Sequence, residues 1–144
     1  MNKKPLVRFH FLSVCILQRR RVLKTFILSV FKKQGVPLEE LNVIFCDDEY
    51  LLDLNHRFLK HDFYTDILSF PLSRSNQPLV AEIYISVDRV RDNALSGETT
   101  FKEEIHRVIF HGVLHFCGYK DKTTRDIKPM RAMENQYLKQ YQTK

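Results

Sequence analysis

Apolar positions recur along the chain with the periods of both strands and helices. Alternating or continuous apolar runs predict strands at 6–12, 41–46, 65–70 and 80–86. Apolar positions three and four residues apart predict helices at 22–31, 47–58, 87–95, 101–117 and 124–141. No internal repeat or change of composition divides these elements. We therefore expect residues 1–144 to form a single α+β domain, with a small four-stranded β-sheet flanked by about five helices.

The predicted helix at 101–117 is apolar on two sides, which is typical of a central helix. One face carries Ile105, Ile109 and Gly112, while Phe110 lies nearly opposite. A glycine inside a helix costs about 1 kcal/mol relative to alanine. We therefore expect a close packing contact, or the approach of a ligand, at Gly112.

Two histidines on this helix form the strongest candidate for a functional site. His111 and His115 lie four residues apart, so both rings project from one face and can bind one metal ion. Gly118 can end the helix and return the chain, which would bring the carboxylate of Asp121 to the same ion. Three protein ligands and an open fourth position are typical of catalytic zinc. Helical histidines also occur as core or capping residues, and Cys117 is an alternative ligand, although it projects from another side of the helix.

The residue after the first histidine narrows the chemistry of such a site. In zinc proteases with the HExxH motif a glutamate at that position is the general base, whereas this chain has Gly112. Peptide hydrolysis by that route is therefore disfavoured. What remains is a metal ion that activates a bound water molecule and polarises a phosphoryl oxygen, with no residue identified as the catalytic base. The pattern favours phosphodiester hydrolysis.

The charge of the chain favours a polyanionic partner. There are 23 Lys and Arg residues against 17 Asp and Glu, which gives a formal charge of +6 and a pI near 9.3. A solvated helix face is the alternative interpretation of the basic residues, so the charge suggests RNA or DNA without showing it. The densest basic stretch contains Arg19, Arg20, Arg21 and Lys24, followed by Lys32 and Lys33.

Cysteine usage and apolar runs bear on location. Three cysteines without a CxxC spacing favour a reducing compartment over a disulfide framework. The apolar runs are much shorter than a membrane span. Near the N-terminus, Leu6–Leu17 is interrupted by Arg8 and His10 and lacks a small-residue cleavage site. We therefore expect a cytoplasmic protein with no secretory signal and no membrane contact.

Several motifs, in the same order, resemble those of the YbeY family. His111–Tyr119 (HGVLHFCGY) is similar to the family signature HGxLHxxGYDH, and Thr65–Pro71 (TDILSFP) is similar to T[DN]VLSFP. Leu54-Asn55 matches a family LN pair, Ala81–Ile83 stands where GDI is usual, and Met130 with Glu134 matches MxxxE. The resemblance runs from about residue 41 to 138, which is most of the chain, and the first forty residues match only in general character.

The resemblance implies a metal-dependent endoribonuclease that cleaves single-stranded RNA in ribosomal RNA maturation, notably at the 3′ end of small-subunit rRNA, and in ribosome quality control. It implies a mixed β-sheet flanked by helices, with one zinc ion at the mouth of a basic cleft. By position, His111 and His115 are the first two zinc ligands, and Asp121 stands where the family has its third histidine. Aspartate is a competent zinc ligand, but its charge makes the metal a weaker Lewis acid. Leu59 stands where an arginine is common, and Arg57 lies two residues earlier.

Other matched residues have two interpretations each. Arg57, Asp66, Ser69 and Tyr119 are candidates for the cleft or for RNA contact. Asp66 and Ser69 can equally belong to a turn and a strand, and Tyr119 can pack against the last helix. Glu104 is either a partner that orients a metal ligand or a carboxylate favoured at the helix start by the helix dipole.

Two functions from different classes are compatible with these motifs. The first is a zinc-dependent endoribonuclease, in which a metal-bound water takes part in cleavage. The second is a non-catalytic, metal-stabilised ribosome assembly factor whose basic surface binds rRNA. Salt-sensitive RNA binding that survives loss of the metal, without cleavage products, would distinguish the second from the first.

Overall fold

The computed structural model describes residues 4–144, so Lys3 and the two residues before it lie outside the described residues. The predicted α+β fold is confirmed, with four strands and five helices in the described chain. Element boundaries differ from the predicted ones by a few residues at most. The elements are β1 (Leu6–Phe11), α1 (Arg20–Lys33), β2 (Leu38–Cys46), α2 (Asp48–Leu59), β3 (Ile67–Pro71), β4 (Leu79–Ser86), α3 (Val87–Ser96), α4 (Phe101–Phe116) and α5 (Thr124–Gln142).

The sheet is mixed, with the strand order β1-β2-β4-β3. Strands β1, β2 and β4 are parallel, and β3 pairs antiparallel with β4. The parallel β1–β2 pair requires a crossover connection, which α1 supplies. Strand β2 begins at Leu38, earlier than its apolar run, because its first residues already pair with Leu79 and Val80 of β4. The two edges of the sheet are therefore β1 and β3.

Helix α4 is the central helix, as its two apolar sides predict. Ile105, Ile109 and Phe110 are almost fully buried. The ring of Phe110 packs against Phe26 of α1, with centroids 5.3 Å apart. Burial on several sides fixes the rotation of α4, and with it the direction in which its polar residues project.

Gly112 lies on the side of α4 that packs against the sheet. A Cβ atom at this position would lie 2.7 Å from Cδ1 of Ile67 and 2.9 Å from Cδ1 of Ile83. Both distances are shorter than carbon–carbon van der Waals contact, so a side chain here would force Ile67 and Ile83 or the helix to move. The expected packing reason for this glycine is thus confirmed.

Asn55, from the LN pair, holds the segment that leads into β3. It is 1% exposed on α2, and its Nδ2 donates to the carbonyl oxygen of Phe63 at 2.9 Å. Further along, the backbone N–H of Ser86 donates to the carbonyl oxygen of Asp66 at 2.9 Å. These two bonds anchor the loop between α2 and β3 at both ends, and they fix the backbone of Asp66 beside α3.

Candidate metal centre

The two histidines of α4 meet at their ring nitrogens. Nε2 of His111 and Nε2 of His115 are 3.0 Å apart, and the rings are nearly perpendicular. Both side chains are partly buried, at 19% and 29% exposure. The i, i+4 spacing therefore does bring both nitrogens to one point on the helix surface.

A glycine turn then returns the chain to the same point. Gly118 has a φ of 98°, a left-handed conformation that glycine adopts without strain. Its N–H donates to the carbonyl oxygen of His115 at 3.1 Å. Beyond this turn, Oδ2 of Asp121 lies 3.1 Å from Nε2 of His111 and 3.4 Å from Nε2 of His115. Asp121 is 40% exposed, so the cluster can be reached from solvent.

These three side chains have the spacing of a zinc site. Their ligand atoms lie 3.0, 3.1 and 3.4 Å apart. In a tetrahedral zinc site with bonds of about 2.0–2.1 Å, two ligand atoms are separated by about 3.3 Å. His111, His115 and Asp121 are the group of His, Cys, Asp and Glu residues with metal-binding spacing found in the part of the chain that the structure describes.

Glu134 of α5 fixes the orientation of the first histidine. Its Oε2 accepts a hydrogen bond from Nδ1 of His111 at 2.6 Å, and the glutamate side chain is only 6% exposed. Its other oxygen lies 3.1 Å from Nη1 of Arg107 and 3.3 Å from Nη1 of Arg131. A carboxylate that accepts from one ring nitrogen leaves the other unprotonated and available to a metal.

The pKa shifts of His111 and Glu134 show that negative charge surrounds this histidine. Burial by itself lowers the pKa of His111, but the hydrogen bond and negative charge of Glu134 outweigh burial and raise it. Burial raises the pKa of Glu134, but the bonds from His111 and Arg107 outweigh that effect and lower it. Glu134 is therefore a charged acceptor, and Nε2 of His111 faces a second carboxylate, that of Asp121, at 3.1 Å. The carboxylates around His111 favour positive charge at this point, whether a second ring proton or a metal ion, so the residues present fit a bound metal ion.

A cavity of about 730 Å³ opens beside this cluster, between α3, α4 and α5. Asp66 lies in its wall, where Nδ2 of Asn93 donates to the carboxylate at 3.1 Å. Burial raises the pKa of Asp66, and the nearby His111 opposes this only in part. Burial likewise raises the pKa of Glu104. The wall is rich in carboxylates as well as in arginines, and includes Asp66, Glu103, Glu104, Arg107, Arg131 and Glu134.

The remaining candidates from the sequence lie elsewhere. Arg57 is on α2, where its guanidinium pairs with Asp53 at 3.0 Å, and it does not line this cavity. Ser69 is a partly buried residue of β3. Tyr119 packs against the hydrophobic core, and Cys117 lies outside the His-His-Asp group. Burial raises the pKa of the Cys117 thiol to about 12, so it is a poor metal ligand.

Sequence reasoning missed the role of Glu134. Glu104, considered as the partner of His111, lies 4.0 Å from Arg107 in the first turn of α4, in agreement with the helix-start interpretation. Glu134 was matched only as part of MxxxE. The four-residue spacing of Met130 and Glu134 places them on one face of α5, and both are buried. A glutamate on the same helix face as a buried methionine could have indicated a buried carboxylate with a specific partner.

The fold and the cluster can be compared with known proteins. A family model described as Endoribonuclease YbeY matches residues 15–142. The chain belongs to the YbeY family. A protein named Endoribonuclease YbeY from Cytophaga hutchinsonii is 48% identical over 85% of each chain. One of the same name from Porphyromonas gingivalis is 42% identical over 83% of this chain and 79% of its own. A solution structure from Thermotoga maritima matches with a TM-score of 0.65 and 26% identity, covering 94% of this chain and 89% of that one.

Membership of the YbeY family extends the resemblance towards the N-terminus. The matched region begins at residue 15 and includes α1, which the motifs alone do not reach. In the described residues no helix is both long and apolar enough for a membrane span.

Proposed function

We propose that this chain is a zinc-dependent endoribonuclease that cleaves single-stranded RNA in ribosomal RNA maturation, at the 3′ end of small-subunit rRNA, and in ribosome quality control. Membership of the YbeY family supports the nuclease activity. The observation that carries the proposal is the convergence of two imidazole nitrogens and one carboxylate oxygen beside an open cavity. We further propose that residues 1–144 work as one domain, in the cytoplasm, on rRNA or the small ribosomal subunit.

In this proposal His111, His115 and Asp121 hold one zinc ion per chain. Bound zinc would activate water and polarise a phosphoryl oxygen of the scissile phosphodiester. Glu134 keeps the proton of His111 on Nδ1, so Nε2 stays free for the ion. Asp121 is 40% exposed and lines the cavity, so a fourth ligand can approach the ion from there. Asp66 lines the cavity in which the RNA chain would lie, and Arg57, Ser69 and Tyr119 are proposed as outer contacts.

The test is the metal content and RNA cleavage of the purified chain. We expect about one zinc ion per chain, and cleavage of a structured rRNA fragment that a chelator stops and zinc restores. His115→Ala should lose both zinc and cleavage, because two ligands hold zinc far less tightly than three. His61→Ala is the matched control, because this exposed histidine stacks on Phe63 and lies outside the His-His-Asp group. Undiminished cleavage by metal-free His115→Ala would refute the proposal.

A second function is favoured by one specific observation. The third ligand position holds a carboxylate, which reduces the Lewis acidity of a bound metal relative to a third imidazole. A metal-stabilised assembly factor that binds rRNA without cutting it would tolerate this change. It predicts RNA binding that persists in the His115→Ala variant, with no cleavage products from the wild-type chain.

A further inference from the structure

Positive charge is concentrated at the N-terminal end of the chain. The first 38 residues contain nine Lys and Arg side chains and no Asp or Glu. The remaining residues contain 14 Lys and Arg against 17 Asp and Glu. The excess charge of the whole chain therefore lies on the segment that forms β1 and α1, and the part that forms the metal centre is slightly acidic.

Three of these cations form a row along α1, which we call the basic edge: Arg20, Lys24 and Lys32. The guanidinium of Arg20 lies 4.2 Å from the ring centroid of Phe11, and Nζ of Lys24 lies 5.4 Å from that of Phe9. Both rings belong to β1, and Lys32 lines a groove with Pro5, the residue before β1, so the row follows the outer strand of the sheet. At 1.5 Å per residue it is about 18 Å long.

The cations of the basic edge are not neutralised by the protein. In the described residues 4–144, no carboxylate lies within 4.0 Å of the charged groups of Arg20, Lys24 or Lys32. The arginines of the metal-centre cavity differ in this respect. Arg107 and Arg131 both contact Glu134, so their charge is already compensated.

Helix stability accounts for Lys32, in the last turn of α1, but not for Arg20 and Lys24. Helix α1 has no acidic residue in its first turn, and Arg20 and Arg21 occupy the end where the helix dipole favours negative charge. Arg20 and Lys24 are also like charges at i, i+4 spacing, which is destabilising. An anionic partner would remove both costs. The alternative, a merely solvated face, leaves them in place.

The basic edge and the metal centre are built on different elements of the fold. Strand β1 is at one edge of the sheet and β3, which follows Asp66, is at the other, three strand spacings or about 14 Å away. The cavity beside the metal centre has several carboxylates in its wall, which repel phosphate. The cavity can hold the stretch of RNA that is cut, but tight binding of a long polyanion needs cations outside it.

We propose that the basic edge is a second RNA-binding surface, separate from the metal centre, which binds the phosphates of single-stranded RNA. This inference rests on RNA being the substrate, as proposed above. At about 3.4 Å per nucleotide of a stacked strand, the row matches roughly five phosphates. The surface would hold a long RNA while the metal centre cuts it at a distance.

The test compares two charge-matched double variants. Arg20→Gln/Lys24→Gln removes two cations of the basic edge, and Arg74→Gln/Lys139→Gln removes two exposed cations elsewhere. Binding of a long single-stranded RNA is measured over a range of salt concentrations. Each lost phosphate contact lowers the slope of log K against log salt by about 0.7, so the first variant should lose about 1.4 and the control close to none.

A third double variant controls for a folding defect caused by the loss of Arg20. Arg20 also donates to the carbonyl oxygen of Leu17, so its loss can disturb the start of α1. Lys24→Gln/Lys32→Gln removes two cations without touching that bond, and it should show the same loss of slope. Cleavage of an oligonucleotide too short to reach the basic edge should proceed at the wild-type rate in both variants, while cleavage of the long RNA slows.

The outcomes separate this inference from the proposed function. Wild-type salt dependence in both basic-edge variants, or an equal loss in the control, would overturn the inference while leaving the nuclease proposal intact. If the basic-edge variants cleave short and long RNA equally slowly, the basic edge is not separate from the metal centre. Loss of binding to anionic lipid vesicles with unchanged RNA binding would assign the surface to a lipid. A wild-type chain that binds RNA through this edge but never cleaves it would refute the nuclease proposal alone.

Discussion

Replacing Glu134 with glutamine tests how the metal centre is organised. The buried carboxylate accepts from Nδ1 of His111 on one oxygen and faces Arg107 and Arg131 on the other. Glutamine has nearly the same shape but only one acceptor atom. Its amide oxygen can serve the histidine or the arginines, and its NH₂ group then points at a donor on the other side.

The expected size of the effect follows from these contacts. A buried polar group left without its partner costs about 1–3 kcal/mol. Arg107 retains a bond to Oδ1 of Asn135 at 2.8 Å, and Arg131 is largely exposed, so both arginines have other contacts and the lower half of this range is expected. If zinc binds through Nε2 of His111 as proposed, loss of its oriented partner should weaken zinc binding about 10–100-fold.

Two measurements on Glu134→Gln separate folding from metal binding. Urea unfolding of the metal-free chain reports the loss of stability, and competition with a chromophoric chelator reports the zinc affinity. The control is Glu104→Gln, which removes a partly buried carboxylate of the same cavity that contacts Arg107 but not His111. Wild-type zinc affinity in Glu134→Gln, or an equal loss in Glu104→Gln, would refute the orienting role of Glu134.

Three further predictions concern single sites. Burial, with a smaller effect of the Lys102 charge, lowers the pKa of His106 from 6.5 to about 4. The unfolded chain therefore takes up this proton first as the pH falls, and stability present above pH 6.5 is lost towards pH 4, by up to about 3 kcal/mol. Urea unfolding across this range should show a shallower decline for His106→Phe than for the wild type, and parallel curves would contradict the assignment. Gly112→Ala should destabilise the chain by about 1–2 kcal/mol, because overpacking against Ile67 and Ile83 exceeds the gain in helix propensity. Thermal melting should show that Ile67→Val partly restores the stability of this variant. An Ala variant as stable as the wild type would count against the close approach. Asp121→His should retain zinc and raise the rate of RNA cleavage, because a neutral third ligand leaves the metal a stronger Lewis acid. Loss of zinc from this variant would show that a third imidazole does not fit here.

Local patterns in the chain were sufficient to predict most of the fold. Strands and helices followed from apolar periodicity, because each element buries one face and periodicity records that face. Asp47, Thr100 and Thr123 lie at or next to the predicted helix starts, and in the structure each side chain accepts a backbone hydrogen bond there. The meeting of His111 and His115 also followed, because an i, i+4 contact depends only on the helix between the two residues.

Spacing along the chain does not predict contacts between residues that are distant in the sequence. Glu134 reaches His111 across 23 residues, because α5 packs against α4 in one particular rotation. Asp66 and Asn93 meet in the cavity wall because β3 is placed next to β4 and α3. Such pairs depend on which faces of separate elements are buried together.

The sequence alone therefore determined the elements, the histidine pair with its returning carboxylate, and the concentration of basic residues in the first 38 positions. Each of these lies within a short stretch of chain, where backbone geometry leaves few alternatives. Only the tertiary structure decided that Glu134 orients His111, that carboxylates line the cavity, and that the basic edge follows β1 at the far side of the sheet. The physical reason is that these positions are set by the packing of buried faces from distant segments. A local sequence pattern does not encode that packing.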